Sequence, residues 1–202
     1  MMATSLSDQF SEIRRFSEWR KIEPLNKGWS SDEKFYIETQ NGEKLLLRVN
    51  SIQNEAAKRE EFAAMQQVAR LPLVMSNPLE FGRFNRQQNV YTLLLWVEGS
   101  ALDEVLPDFL ADEQRELGKQ AGRILKLMHA IPAPANQINW ATRMQKKMLR
   151  HRERYLNCGI RISNDEMALA YVDQNLHLLE GRTQTFQHGD FHVGNLILTP
   201  ES

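Results

Sequence analysis

The chain has 202 residues, 42% of them hydrophobic. That suits one soluble globular domain or two small lobes, with no need of disulfide or metal to complete a core. Its 25 basic and 26 acidic residues give no global positive field, so nucleic acid and anionic membrane surfaces are not expected partners, although a local basic site stays open. The single cysteine, Cys158, excludes an internal disulfide and reads as a structural or surface thiol. No cysteine–histidine cluster has zinc-like spacing, and a reducing cytoplasm is the expected compartment. Met1 to Asp8 is polar and lacks the apolar stretch of a signal peptide, and runs such as Leu93 to Val97 are too short to cross a bilayer.

In chain order, Ser5 to Lys21 reads as an amphipathic helix, with Phe10, Ile13, Phe16 and Trp19 recurring at helical spacing. Three short strands follow at Ile22 to Lys27, Lys34 to Thr39 and Lys44 to Asn50. Asn41-Gly42 between the last two signals a hairpin, because both residues tolerate positive φ. Ser51 to Leu71 is helical, with Phe62, Met65, Val68 and Ala69 on one side and Pro72 as the stop. Leu79 to Phe84 and Val90 to Val97 make two more strands. After Glu98-Gly99 the pattern turns helical: Glu113 to Ile131, Trp140 to Asn157, and Asp165 to Leu179, the last with Ser163 and Glu166 at capping-box spacing. The basic run Arg143, Lys146, Lys147, Arg150, Arg152 and Arg154 has little aromatic interleaving and reads as a solvated helix face.

The expected fold class is therefore α+β. An antiparallel five-stranded half with one inserted helix, residues 1–97, precedes a mainly helical half, residues 98–202. The cleft between two such lobes is a natural ligand site.

Chemistry concentrates in Thr185 to Thr199, where His188, Gly189, Asp190, His192, Gly194 and Asn195 lie between apolar segments. Asp190 and Asn195 are five positions apart, the spacing of the kinase catalytic loop H-R-D-x-x-x-x-N. There an Asp accepts the proton of the attacking hydroxyl and an Asn side-chain oxygen holds magnesium.

The string His188-Gly189-Asp190-x-His192-x-Gly194-Asn195 resembles the catalytic loop of the aminoglycoside phosphotransferase family, which has a protein-kinase-like fold. The resemblance implies that Asp190 is the base, that Asn195 is a Mg2+ ligand, and that His188 and His192 brace the loop, His192 alternatively lying near the γ-phosphate. It implies a nucleotide loop at Asn26 to Asp32, where Gly28, Ser30 and Ser31 bring backbone N–H groups or hydroxyls to phosphate. This stretch lacks the full G-x-G-x-x-G pattern. It implies a strand cation for the phosphates, Arg48 first and Lys44 in reserve. Arg stands where protein kinases use Lys, and its planar fork can hold two phosphate oxygens. The carboxylate partner of that cation is expected from the next helix, with Glu61 preferred over Glu60 and Glu55. Leu95, Trp96 and Val97 resemble the hinge that meets adenine, with Trp96 either walling that pocket or belonging to the core.

The implied function is an ATP- or GTP-dependent, Mg2+-requiring small-molecule kinase. Its acceptor would be a hydroxyl of an aminoglycoside, another antibiotic or a metabolite alcohol. The family's second metal motif, an Asp following the catalytic loop, is not found in Leu196 to Ser202. On sequence grounds the chain is expected to be truncated and to transfer phosphate poorly by itself. The alternative is a non-catalytic kinase-like nucleotide-binding module or a truncated inactive gene product.

Overall fold

Alternation of apolar and polar residues over short runs builds one antiparallel sheet. Its strands are β1 (Trp19–Pro24), β2 (Glu33–Thr39), β3 (Lys44–Ser51), β4 (Pro78–Phe84) and β5 (Asn89–Leu95), in the spatial order β1-β2-β3-β5-β4. The computed structural model describes residues 9–26 and 31–200. On β3, Leu45, Leu47 and Val49 are buried while Lys44, Leu46 and Arg48 lie on the opposite face. The buried face joins Phe35 and Ile37 of β2, Phe84 of β4, and Tyr91 and Leu93 of β5 in one core, closed by Phe10, Ile13 and Trp19.

The segment that covers this core differs from expectation. Residues 11–15 are successive turns, Phe16–Glu18 is a 3-10 turn, and Trp19 already belongs to β1. Amide bonds run Ile13 to Phe10 and Phe16 to Ile13, each across three residues. Phe10, Ile13, Phe16 and Trp19 are spaced strictly by three, which fits the three-residue period of such turns better than the 3.6 of an α-helix. The apolar set was correctly identified and its period misassigned. Ser5 to Asp8 lie outside the described residues.

The β2–β3 hairpin also differs in detail. Of the Asn41-Gly42 pair only Gly42 takes a positive φ, of 85°. The Gly42 amide donates to the Thr39 carbonyl at 3.0 Å and the Thr39 amide to Glu43 at 2.9 Å, a three-residue loop closed by a glycine bulge.

The inserted helix α1 spans Glu55–Val68 after a 3-10 turn at Ile52–Asn54. Phe62 meets Phe81 of β4 at 5.7 Å, and Glu55 pairs with Arg83 of β4 at 2.7 Å, which docks α1 on β4. A two-stranded ribbon, β6 (Ser100–Ala101) with β7 (Ile197–Leu198), carries the short helix α2 (Leu102–Val105) on one side. Helix α3 spans Ala111–Met128 and begins two residues earlier than expected, because Glu113 reaches back to the Leu110 amide at 2.8 Å. It ends in bonds across three residues ahead of Pro132. Helix α4 is Trp140–Asn157, as the periodicity indicates. Helix α5 is Asp165–Gln174, followed by a 3-10 turn at Leu176–Leu179. The capping box expected at Ser163 and Glu166 is not formed: the N-cap is Asn164, at φ 63° and with no side-chain cap. Asp165 instead ties the helix start to the Tyr155 hydroxyl at 2.6 Å and to Arg161.

The chain divides into two compact units, one of residues up to Leu125 with the segment from Gly189 on, the other Lys126–His188. Among the described residues no helix is long and apolar enough to cross a membrane.

Candidate active site

Arg48 projects from the face of β3 opposite the core and is gripped from two elements. Its Nε donates to Asp32 Oδ2 at 2.8 Å, its Nη2 donates to the same oxygen, and its Nη1 donates to Glu61 Oε1 at 2.8 Å. Lys58 joins both carboxylates, at 2.8 Å from Asp32 Oδ1 and 2.9 Å from Glu61 Oε2. Asn50 Nδ2 adds a bond to Asp32 Oδ1 at 2.5 Å and lies 3.4 Å from Ser31 Oγ. Burial works against the charged form of Asp32, but Lys58, Arg48 and Asn50 outweigh it and hold its carboxyl below the ordinary range.

The three glutamates of α1 are thereby sorted. Glu61 sits on Arg48, Glu55 is engaged by Arg59 and Arg83, and Glu60 is exposed. Lys58 and Asp32 were missed by sequence reasoning. Lys58 had a signal, since it lies three residues before Glu61 and shares its helix face. Asp32 had one as well: alternation carried back from Lys34, which pairs with Arg48, puts it on the Arg48 face. Gly28 and Ser30 lie outside the described residues.

On the same face, Tyr36 stands opposite Leu46 in register and meets Trp96 edge-on at 5.1 Å. Trp96 is thus with the Arg48 face and outside the buried core cluster. The Leu95 amide donates to Asn77 at 2.9 Å and the Trp96 amide to Lys44 at 3.1 Å. Of the three expected hinge positions, Val97 is the one whose N–H no described residue accepts. Lys44 Nζ pairs with Glu98, which raises the Lys44 pKa and occupies the reserve cation at the exposed end of β3.

The loop at Asp190 to Asn195 is set by the β6–β7 ribbon. Leu196 accepts from the Leu102 amide at 2.9 Å, and Ser100 faces Leu198. Gly99 permits this approach: at φ 143°, a Cβ there would lie 2.2 Å from the Leu198 carbonyl oxygen. Within the loop, Asn195 Nδ2 donates to the Asp190 carbonyl at 2.8 Å and to Asp190 Oδ2 at 3.1 Å. The Gly194 amide donates to His192 Nδ1 at 3.1 Å. His192 Nε2 lies 3.2 Å from Asn195 Nδ2 and 3.5 Å from Asp190 Oδ2. A Cβ at Gly194 would fall 2.9 Å from the His192 ring, so a larger residue there would displace that ring. His192 therefore braces the Val193–Asn195 turn. The Asp190 side chain is 77% exposed. His188 closes the other unit.

These groups fit a phosphate-bearing ligand and a hard cation. Arg48 has two N–H groups beyond the three it commits to carboxylates. The carboxamide of Asn195 directs its nitrogen at Asp190, which leaves its oxygen as the acceptor for a metal. Among the described residues no group of three or more His, Cys, Asp or Glu is arranged to hold a metal. A cavity of about 270 Å³ in the Lys126–His188 unit, lined by Trp140, Arg143, Arg182 and Gln187 among others, contains none of the expected catalytic, nucleotide-binding or metal residues.

A five-stranded antiparallel sheet with one inserted helix, a strand cation paired to that helix and a loop of this pattern define a protein-kinase-like fold. The chain belongs to the phosphotransferase enzyme family APH, which it matches over residues 21–202. Solved structures share the fold. Aminoglycoside phosphotransferase APH(3'')-Id from Streptomyces rimosus aligns with 98% of this chain and 73% of its own, at 17% identity and TM-score 0.62. The same enzyme in complex with ADP and streptomycin aligns with 89% of this chain and 66% of its own, at 15% identity and TM-score 0.57. A thermostable mutant of APH(4)-Ia, in a ternary complex with AMP-PNP and hygromycin B, aligns with 90% of this chain and 62% of its own, at 15% identity and TM-score 0.57. The chain thus spans 62 to 73% of the length of these enzymes. No curated protein sequence matches it.

Proposed function

We propose that this chain is the nucleotide-binding and catalytic-loop portion of an ATP- or GTP-dependent kinase that phosphorylates a hydroxyl of a small molecule. In this reading residues 1–97 form the nucleotide lobe and 98–202 part of the acceptor lobe. The observation that carries it is the coupling of Asp190 to Asn195 across 3.1 Å on a loop anchored by the β6–β7 ribbon. Phosphoryl transfer asks for an oriented nucleophile and neutralised phosphate charge rather than covalent help.

Asn195 donates to Asp190 Oδ2. That leaves Oδ1, to which no described residue hydrogen-bonds, as the oxygen that accepts the hydroxyl proton. Arg48 holds phosphate oxygens through its two spare N–H groups, and Trp96 with Tyr36 offers an aromatic wall on the same sheet face. Asn195 Oδ1 is the group that would hold magnesium, whose charge would neutralise the phosphoryl oxygens. Aminoglycosides, other antibiotics and metabolite alcohols all remain acceptors to be screened.

The test is transfer of labelled γ-phosphate to a panel of hydroxylated compounds by the full-length kinase that contains this chain, with and without Asp190→Asn. Loss of the base is expected to cut turnover about 100-fold or more with nucleotide affinity retained. Unchanged turnover would refute the assignment of Asp190.

A further inference from the structure

Two cations, Arg48 and Lys58, face two carboxylates, Asp32 and Glu61, in a quartet with no net charge. The family resemblance accounts for Arg48 and Glu61 only. We propose that Asp32 is the principal positioning residue for Arg48, with Lys58 locking Asp32 and Glu61 into one unit. This rests on the reading of Arg48 as the phosphate cation.

Asp32 takes two of the three N–H groups that Arg48 commits to carboxylates, and they lie on Nε and Nη2, the side edge of the guanidinium. Both donors converge on the single oxygen Asp32 Oδ2, so this edge of the guanidinium is held at two nitrogens, whereas Glu61 holds Nη1 alone. Asp32 is itself immobile: its side chain is 2% exposed and is held by Lys58 and by Asn50 at 2.5 Å. Glu61 makes one bond to Arg48 and its side chain is 38% exposed. The buried carboxylate sets the direction of Arg48, and the exposed one supports it.

Two roles for Asp32 give opposite outcomes. If its charge merely neutralises the site, removing it leaves one surplus positive charge and tightens binding of a polyanion. If it positions Arg48, removing it weakens binding despite that added charge. The experiment titrates ATP with Mg2+ into the 202-residue chain by calorimetry. Asp32→Asn is expected to weaken binding about tenfold or more, the worth of a charged hydrogen bond. Glu61→Gln should weaken it less, and Glu60→Gln not at all. Binding by Asp32→Asn that equals or exceeds wild type, in a folded protein, would overturn the proposal.

Should Asp32→Asn fail to fold, Asn50→Ala loosens Asp32 without changing charge. It is expected to weaken binding in the same sense, and no change would count against the proposal. The proton–nitrogen spectrum of the arginine Nε–H groups gives a second readout that needs no nucleotide. The Arg48 signal should persist in Glu61→Gln and vanish in Asp32→Asn; its survival in Asp32→Asn would overturn the positioning role. Failure of the wild type to bind ATP, with the Arg48 signal behaving as expected, would instead overturn the phosphate reading itself.

Discussion

Asp165 is a buried carboxylate whose ionisation is coupled to local structure. The Arg161 guanidinium and the Tyr155 hydroxyl hold its carboxyl down at about 2. A carboxyl depressed in the folded state stabilises above its unfolded value, near 3.9, and that contribution fades as pH falls through the folded one. Urea unfolding between about pH 4 and pH 2 is therefore expected to show less loss of stability in Asp165→Asn than in wild type; parallel losses would contradict the coupling. At this scale the sequence revealed the site unevenly. Asp190 and Asn195 share one contiguous string, and Glu61 follows Arg48 by an ordered strand and helix, so spacing exposes them. Asp32 lies just ahead of β2 on the face that alternation gives Lys34 and Tyr36, but it stands outside the expected strand and so was not singled out.

Helix α4 shows how a single side chain sets an element. Asn139 accepts from the Ala141 amide at 2.8 Å and satisfies one of the donors that a helix start leaves open. Asn139→Ala is expected to cost about 1 kcal/mol, measured by denaturant unfolding; an unchanged midpoint would show that another group takes over the cap. The five sheet strands and the inserted helix were legible because their apolar residues alternate or recur at clear periods. The start of the chain was misread because a strict spacing of three fits successive turns as well as it fits one helix face. Of the β6–β7 ribbon, only the strand after the catalytic loop was legible, and neither β6 nor the pairing was. Two residues per strand are too few for a pattern, and their pairing joins Ser100 to Leu198 across most of the second half of the chain.

Across the whole molecule the core is unevenly shared. Of the described buried hydrophobic residues, only Met128 and Ala141 fall in the Lys126–His188 unit, while the sheet side holds Phe10, Leu45, Leu47, Phe84, Leu93 and their neighbours. That unit also exposes Leu149, Ile160, Ile162, Met167 and Tyr171. With fewer buried contacts it should open at lower free energy. Hydrogen exchange is expected to be faster in α4 and α5 than in β3 and β5; equal protection would contradict this account of where stability resides. The fold and its family leave one claim on which the function turns, that Arg48 on β3 receives the phosphates of a nucleotide. Calorimetric titration of ATP with Mg2+ into wild type and into folded Arg48→Ala tests it most directly. The account expects saturable binding by wild type and its loss in Arg48→Ala; no binding by wild type, or equal binding by both, would contradict it.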